Sequence, residues 1–212
     1  MRSLPKNQDK QWLQQAFYNH CPFHVRCGDD ISLDFIEGLP TSQGKDTIMV
    51  VVDRFSKSAH FLPLTHPFTA KTVANKFVEG IIKLHEIPIS IFSDRDPIFI
   101  SKFWQEFFKL SGTKLQLSFA YHPQTDGQTK VVNRCVEQYL RCFVHQWPRK
   151  WNCYLPWAEY WYNTTYHISA GMNSFQALYG RLPHLFRCTL KACRLCMKLI
   201  STSCIAMHYL NN

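Results

Sequence analysis

Residues 30–64 read DISLDFIEGLPTSQGKDTIMVVVDRFSKSAHFLPL, and this stretch decides the fold. In ISLDFIEG (31–38) the apolar residues Ile31, Leu33 and Phe35 alternate, as on a strand with one covered face. Leu39–Asp46 contains Pro40 and Gly44 and reads as a turn. DTIMVVVDRF (46–55) is an unbroken apolar run, the pattern of a strand buried on both faces. SAHFLPL (58–64) is a third strand, and Pro63 suggests an exposed end, because proline cannot donate to a ladder. Three strands joined by short turns predict an antiparallel meander.

Beyond the meander the period changes from two to 3.6. Thr69 is a candidate N-cap for AKTVANKFVEGIIKLH, with Val73, Phe77, Ile81 and Leu84 on one apolar face and Pro88 beyond its end. ISIFSD (89–94) is a short buried strand. KFWQEFFKLSG (102–112) is a helix with Gly112 at its stop, and KLQLSFA (114–120) is a fifth strand. YHPQTDGQ (121–128) reads as a flexible loop. A long helix is expected over 129–147, ended by Pro148, and an aromatic helix over 151–165. The predicted fold class is α/β, a mixed five-stranded sheet flanked by helices.

Two acids stand out in this frame. Asp34 lies inside the first strand and Asp94 ends the fourth. An unpaired buried carboxylate is costly. Asp34 reads equally as a residue on a solvated strand face, and Asp94 as a turn or cap residue. Two carboxylates on neighbouring strands also suit a divalent cation, which takes oxygen ligands. Spacing alone leaves these readings open.

Three segments of this chain closely resemble the integrase catalytic core of gypsy-type LTR retrotransposons. They are residues 30–64, SDRDPIFISKFWQEFFKLSGTKLQLSFAYHPQTDGQT (93–129) and WAEYWYNTTYHISAGMNSFQALYGRLP (157–183). The resemblance spans about residues 28–186 and joins several motifs in order. It implies an RNase H-like fold and phosphoryl transfer on DNA. It further implies Mg²⁺ or Mn²⁺ as cofactor, with Asp34 and Asp94 as catalytic, metal-holding residues. The partner implied is DNA, and self-association is a further expectation. Neither a membrane nor a small-molecule cofactor is expected.

The resemblance also places a glutamate at position 130, and the residue there is Lys130. HPQTDGQTE in the family pattern is HPQTDGQTK here. The substitution changes the local charge by +2, and a like-charge contact at 4 Å costs about 4 kcal/mol even at a dielectric near 20. A protonated lysine has no lone pair to give a metal. Glu137, two helical turns on, and Asp126, in the preceding segment, are poor geometric substitutes. The expectation is an integrase-like core with impaired catalysis at Asp34, Asp94 and Lys130. Its rivals are a non-catalytic nucleic-acid-binding or protein-interaction module on the same fold, and an active nuclease with a different third ligand.

Phosphate contacts are expected from His122, Gln124, Gln128, Lys130, Asn133 and Arg134, around the loop and the start of the long helix. Asn133 and Arg134 read as well as a solvated helix face. Arg95 suits a phosphate or its neighbour Asp96. Trp104, Phe107, Phe108, Trp157 and Trp161 sit at helical spacing and read as core.

Outside the core, residues 1–27 read as a degenerate lead-in. His20, Cys21, His24 and Cys27 lack the interval and the closing Cys-x-x-Cys of an integrase zinc module. Residues 187–212 form an unassigned basic tail with four cysteines, among them a Cys193/Cys196 pair without a second knuckle. The 212 residues carry a formal charge of +9, of which 31–186 account for 16 basic against 12 acidic side chains. The basic balance favours a polyanionic partner. A 46% hydrophobic content excludes a disordered polar chain. Nine cysteines and no apolar leader point to a reducing compartment: intracellular, and nuclear if the chain is functional.

Overall fold

The computed structural model describes residues 26–94, 97–117 and 123–183, with the backbone alone at 123–128. Its centre is the predicted meander. Strand β1 (Asp30–Ile36) pairs antiparallel with β2 (Thr47–Asp53), and β2 pairs antiparallel with β3 (Ala59–Leu64). Two further strands, β4 (Ser90–Ser93) and β5 (Lys114–Leu117), add in parallel on the other side of β1. The sheet order is β3-β2-β1-β4-β5, a mixed five-stranded sheet as expected. Proline 63 is tolerated because β3 lies at an edge.

Strand parity sorts the side chains between two helical layers. Ile31, Leu33, Met49 and Val51 pack against α1 (Ala70–Phe77) and α4 (Lys102–Ser111), through Phe77, Trp104 and Phe108. Ile36, Val50, Val52 and Phe61 pack on the other face, against α5 (Pro123–Val144) and α6 (Trp151–Thr164). Every residue of β2 is buried, which accounts for its unbroken apolar run. Trp161 joins this core, but Trp157 is 51% exposed and Phe107 is half-buried. Of the five aromatics expected inside, Trp157 is thus the exception, because it lies on the side of α6 away from the buried Leu155, Ala158 and Trp161.

The helices depart from the sequence pattern in three places. Thr69 does cap α1, accepting from the Thr72 N–H at 3.2 Å. The helix then passes through a π-helical stretch (Val78–Ile82) into α2 (Lys83–His85). The wider turn shifts the angular phase, so Val73, Phe77 and Ile81 are buried while Leu84 is 61% exposed. That corrects the predicted apolar face. Next, α3 (Pro97–Ile100) precedes α4, which stops at a left-handed Gly112 as predicted. Finally, α5 begins at Pro123, so 123–128 are helical rather than a loop. Proline at a first helical position and an aspartate in the first turns are start signals, and they read as loop signals when seen alone.

The long helix ends at Val144, and a 3₁₀ turn (Pro148–Lys150) leads into α6. Beyond α6 lie a two-residue hairpin, β6 (Tyr166–His167) with β7 (Met172–Asn173), and α7 (Ser174–Tyr179). Asn173 caps α7, accepting from the Gln176 N–H at 2.7 Å. No described helix is long and apolar enough to cross a membrane.

The free edge of β3 is covered by side chains of α6. Asn163 accepts the Ala59 N–H and donates to the Ala59 carbonyl, both at 2.8 Å. Glu159 accepts the Phe61 N–H at 2.8 Å. These residues lie one turn apart on the helix, so they reach alternate backbone groups of the strand.

Candidate active site

The site lies where the parallel ladder between β1 and β4 ends. Leu33 is opposite Ser93 in the ladder, so Asp34 is level with Asp94 one residue on. Neighbouring strands are about 4.8 Å apart, and residues at the same level share a face. Asp34 is opposite Val50 in β2, and Val50 belongs to the layer under α5. The Asp34 side chain therefore faces α5, not the α1 layer that receives Leu33.

Both carboxylate oxygens of Asp34 accept hydrogen bonds. One takes the Phe35 N–H at 2.8 Å, and the other takes the Asn133 Nδ2–H at 2.8 Å. Asp34 is half-buried and Asp94 exposed. Asn133 was expected to contact phosphate; here it holds the aspartate. Its own Oδ1 is buried without a hydrogen-bond partner. Lys130 precedes Asn133 by three residues, which puts it one turn nearer the helix start on an adjoining stripe. It is exposed, as is Arg134. Glu137 lies a turn beyond Asn133 and forms an ion pair with Arg141 at 3.4 Å.

The remaining expected contacts fall outside the described side chains. His122 and Arg95 lie outside the described residues, and Gln124, Gln128 and Asp126 belong to the stretch of α5 described by backbone alone. His20, Cys21, His24, Cys193 and Cys196 also lie outside. Cys27 is described, and its thiol is pushed up to about 11 by burial, then by the Asp53 charge.

The donor set can be weighed against the divalent ions that the resemblance implies. Such ions take oxygen ligands, and an ion pair needs several carboxylates arranged between them. Two aspartates, an amide already donating to one of them, and a lysine do not supply that set. Among the described residues no group of three His, Cys, Asp or Glu side chains converges to hold a metal. The described side chains do not fit a two-ion centre.

Four polar residues escaped the sequence reading. Asp53, His60, His85 and Glu159 gather towards the β3 edge of the sheet, with His60 two strands away from Asp34. The i, i+4 pair of Glu159 and Asn163 was a legible signal of a polar stripe on an otherwise aromatic helix.

No family model matches the chain. The Transposon Tf2-3 polyprotein of Schizosaccharomyces pombe is 36% identical over 164 residues, which is 77% of this chain and 12% of that protein. The chain therefore spans about an eighth of its curated relative. Among solved structures, the magnesium-bound HTLV-2 integrase catalytic core domain in its trimeric form is similar with a TM-score of 0.59 and 18% identity. That match covers 73% of this chain and 99% of the other. The catalytic core domain of BIV integrase matches with a TM-score of 0.56 and 17% identity, over 70% and 92% of the two chains. At such identities these structures speak for the fold, which is the expected RNase H-like one.

Proposed function

Since the chain is a homologue of a segment of a transposon polyprotein and carries the fold of integrase catalytic cores, we propose that it binds DNA as an integrase core does but is impaired in strand transfer. The observation that carries this reading is the lysine at position 130, one helical turn from the amide that holds Asp34. The aspartates are level just past the end of a parallel ladder, which supports a reaction centre in that place. With Lys130 on the facing helix, two carboxylates and one ammonium leave a local charge near −1 instead of −3.

The chain's own groups then divide the work. Asn133 and the Phe35 N–H fix the Asp34 carboxylate in one orientation. Lys130 and Arg134 present positive charge one turn apart on α5, where a phosphodiester backbone would lie. No step runs through a metal pair. The HTLV-2 core was solved with magnesium, and a lysine in place of a third acid is a reason for this chain to differ.

The test is a strand-transfer and disintegration assay with Mn²⁺, run on the native chain and on Lys130→Glu, beside DNA binding by fluorescence anisotropy across a salt series. The expected result is salt-dependent binding with little or no turnover in the native chain. Turnover by the native chain at the level of Lys130→Glu would refute the impairment. Loss of all DNA affinity at low salt would refute the binding role.

A further inference from the structure

At the β3 edge, two strands from Asp34, a second titratable cluster joins three elements that are distant in sequence. His60 Nε2 and His85 Nε2 are 2.8 Å apart, with ring centroids separated by 4.9 Å. His60 Nδ1 lies 3.1 Å from Glu159 Oε1, while the other oxygen of Glu159 accepts the Phe61 N–H. The chain of contacts thus runs from α6, around the free edge of β3, to the last residue of α2. A cavity of about 20 Å³ adjoins the two rings, lined also by Gly28, Asp53, Ile81 and Leu178.

We propose that His60 and His85 form an acid-released latch that fastens the end of α2, and the connector behind it, to the edge strand β3. The proton count explains the latch. With both rings neutral, His85 donates to His60 Nε2 and His60 donates from Nδ1 to Glu159. One added proton leaves the network intact, because imidazolium His60 donates from both nitrogens, to Glu159 and to a neutral His85. A second proton puts two N–H groups face to face, and the contact breaks.

What the latch holds is the end of α2; further along, the connector is tied where Thr113 Oγ1 donates to the Pro88 carbonyl and Ile89 bonds Asp29 and Lys114. The π-helical stretch interrupts the helix before α2, and Glu86 follows with φ 68°, a left-handed value that a non-glycine residue adopts at a cost. Leu84, Ile87 and Ile89 are exposed there and contribute little burial. The charged and titratable groups facing the rings come from three elements. Glu159 belongs to α6 and His60 to β3, while Asp53 ends β2 and sits within reach of Cys27 and Lys57. The lining residues from α7 and from the segment before β1, Leu178 and Gly28, are uncharged. Burial, then the His60 charge, holds His85 below its ordinary value, and Asp53 and Glu159 pull weakly the other way. Release frees His85 to take its proton, so acid below the ordinary histidine range, about 6.5, favours the open form.

The test is amide hydrogen exchange on the full chain at pH 7.5 and pH 5.0, corrected for intrinsic rates. The reporters are Glu86, whose N–H bonds Ile82 O, and Ile89, whose N–H bonds Asp29 O, with residues 73–77 of α1 as the internal reference. Protection of Glu86 and Ile89 relative to the reference is expected to fall about tenfold at pH 5.0, as one unit of pH favours a proton-binding state tenfold. His85→Gln keeps a neutral hydrogen-bonding group and is expected to lose that pH dependence. An unchanged ratio in the native chain, or the same fall in His85→Gln, overturns the latch. Should His85→Gln not fold, histidine ¹⁵N spectra of the native chain decide. Two steps separated by more than one pH unit support a shared proton, and two coincident ordinary titrations overturn it.

Discussion

Asp34 and Asp53 lie on neighbouring strands three positions apart along one ladder, and they do different jobs. Asp53 ends β2 and is 7% exposed. Its oxygens accept the N–H groups of Gly28, Phe55 and Ser56, at 3.2, 3.4 and 2.9 Å, and the Ser56 hydroxyl as well. That carboxylate is saturated by backbone donors and shapes the turn from β2 to β3. Asp34 has one local N–H and one amide from a helix 99 residues away, with a second aspartate level with it. The first arrangement is a component of the fold. The second is a carboxylate oriented by a distant helix, at the place where the proposed function puts the DNA.

The comparison breaks first, if it breaks, at Lys130. Lys130→Glu should raise Mn²⁺-dependent strand transfer on the order of a hundredfold over the native chain, the size of effect that a restored metal-site ligand produces. A native chain already as active would mean that Asp34 and Asp94 work with a different third group. Next in size is Asp53→Ala, which leaves several buried N–H groups without an acceptor. Its expected cost is about 3 kcal/mol in urea unfolding. Asp34→Asn should change stability by less than about 1 kcal/mol, since an amide can still accept the Phe35 N–H. Equal losses at the two positions would erase the distinction drawn here.

A third expectation concerns acid. His167 packs against Tyr162 and approaches its carbonyl at 3.2 Å, and burial lowers its pKa to about 4, with that backbone contact opposing and Lys57 reinforcing the shift. The unfolded chain binds the proton near pH 6.5 and the folded chain only near 4. Stability is therefore full above about 6.5 and declines as pH falls towards 4, by up to about 3 kcal/mol. Unfolding midpoints between pH 7 and 4.5, with His167→Gln as the flattened control, measure it. A smaller loss than at Asp53 or His167 is expected from Asn163→Ala, about 1–2 kcal/mol by thermal unfolding, since two backbone groups of Ala59 lose one partner each.

Much of this was legible in residues 30–64. Alternation in β1 and the apolar run of β2 announce a meander, and Thr69 and Gly112 mark helix ends by side-chain chemistry that acts locally. The layer that Leu84 faces was not legible, because a π-helical turn changes the phase and leaves no mark in composition. Nor was the start of α5, since Pro123, Asp126 and Gly127 serve a loop as well as a first turn. Two-residue strands such as β6 and β7 are too short to show a period. At the site, Asp34, Asp94 and Lys130 were found through the resemblance. That Asn133 spends its amide on Asp34 depends on how α5 crosses the sheet, which no local pattern encodes.

The side chains of Asn163 and Glu159 along β3 have one more consequence. A bare edge strand is a template on which another chain can grow a β-sheet. Here the Ala59 amide and carbonyl and the Phe61 amide are already engaged, so an incoming strand finds its first bonding positions taken. Two polar residues on an aromatic helix thereby act as a safeguard against aggregation, and their loss should be felt in solubility even where the fold survives.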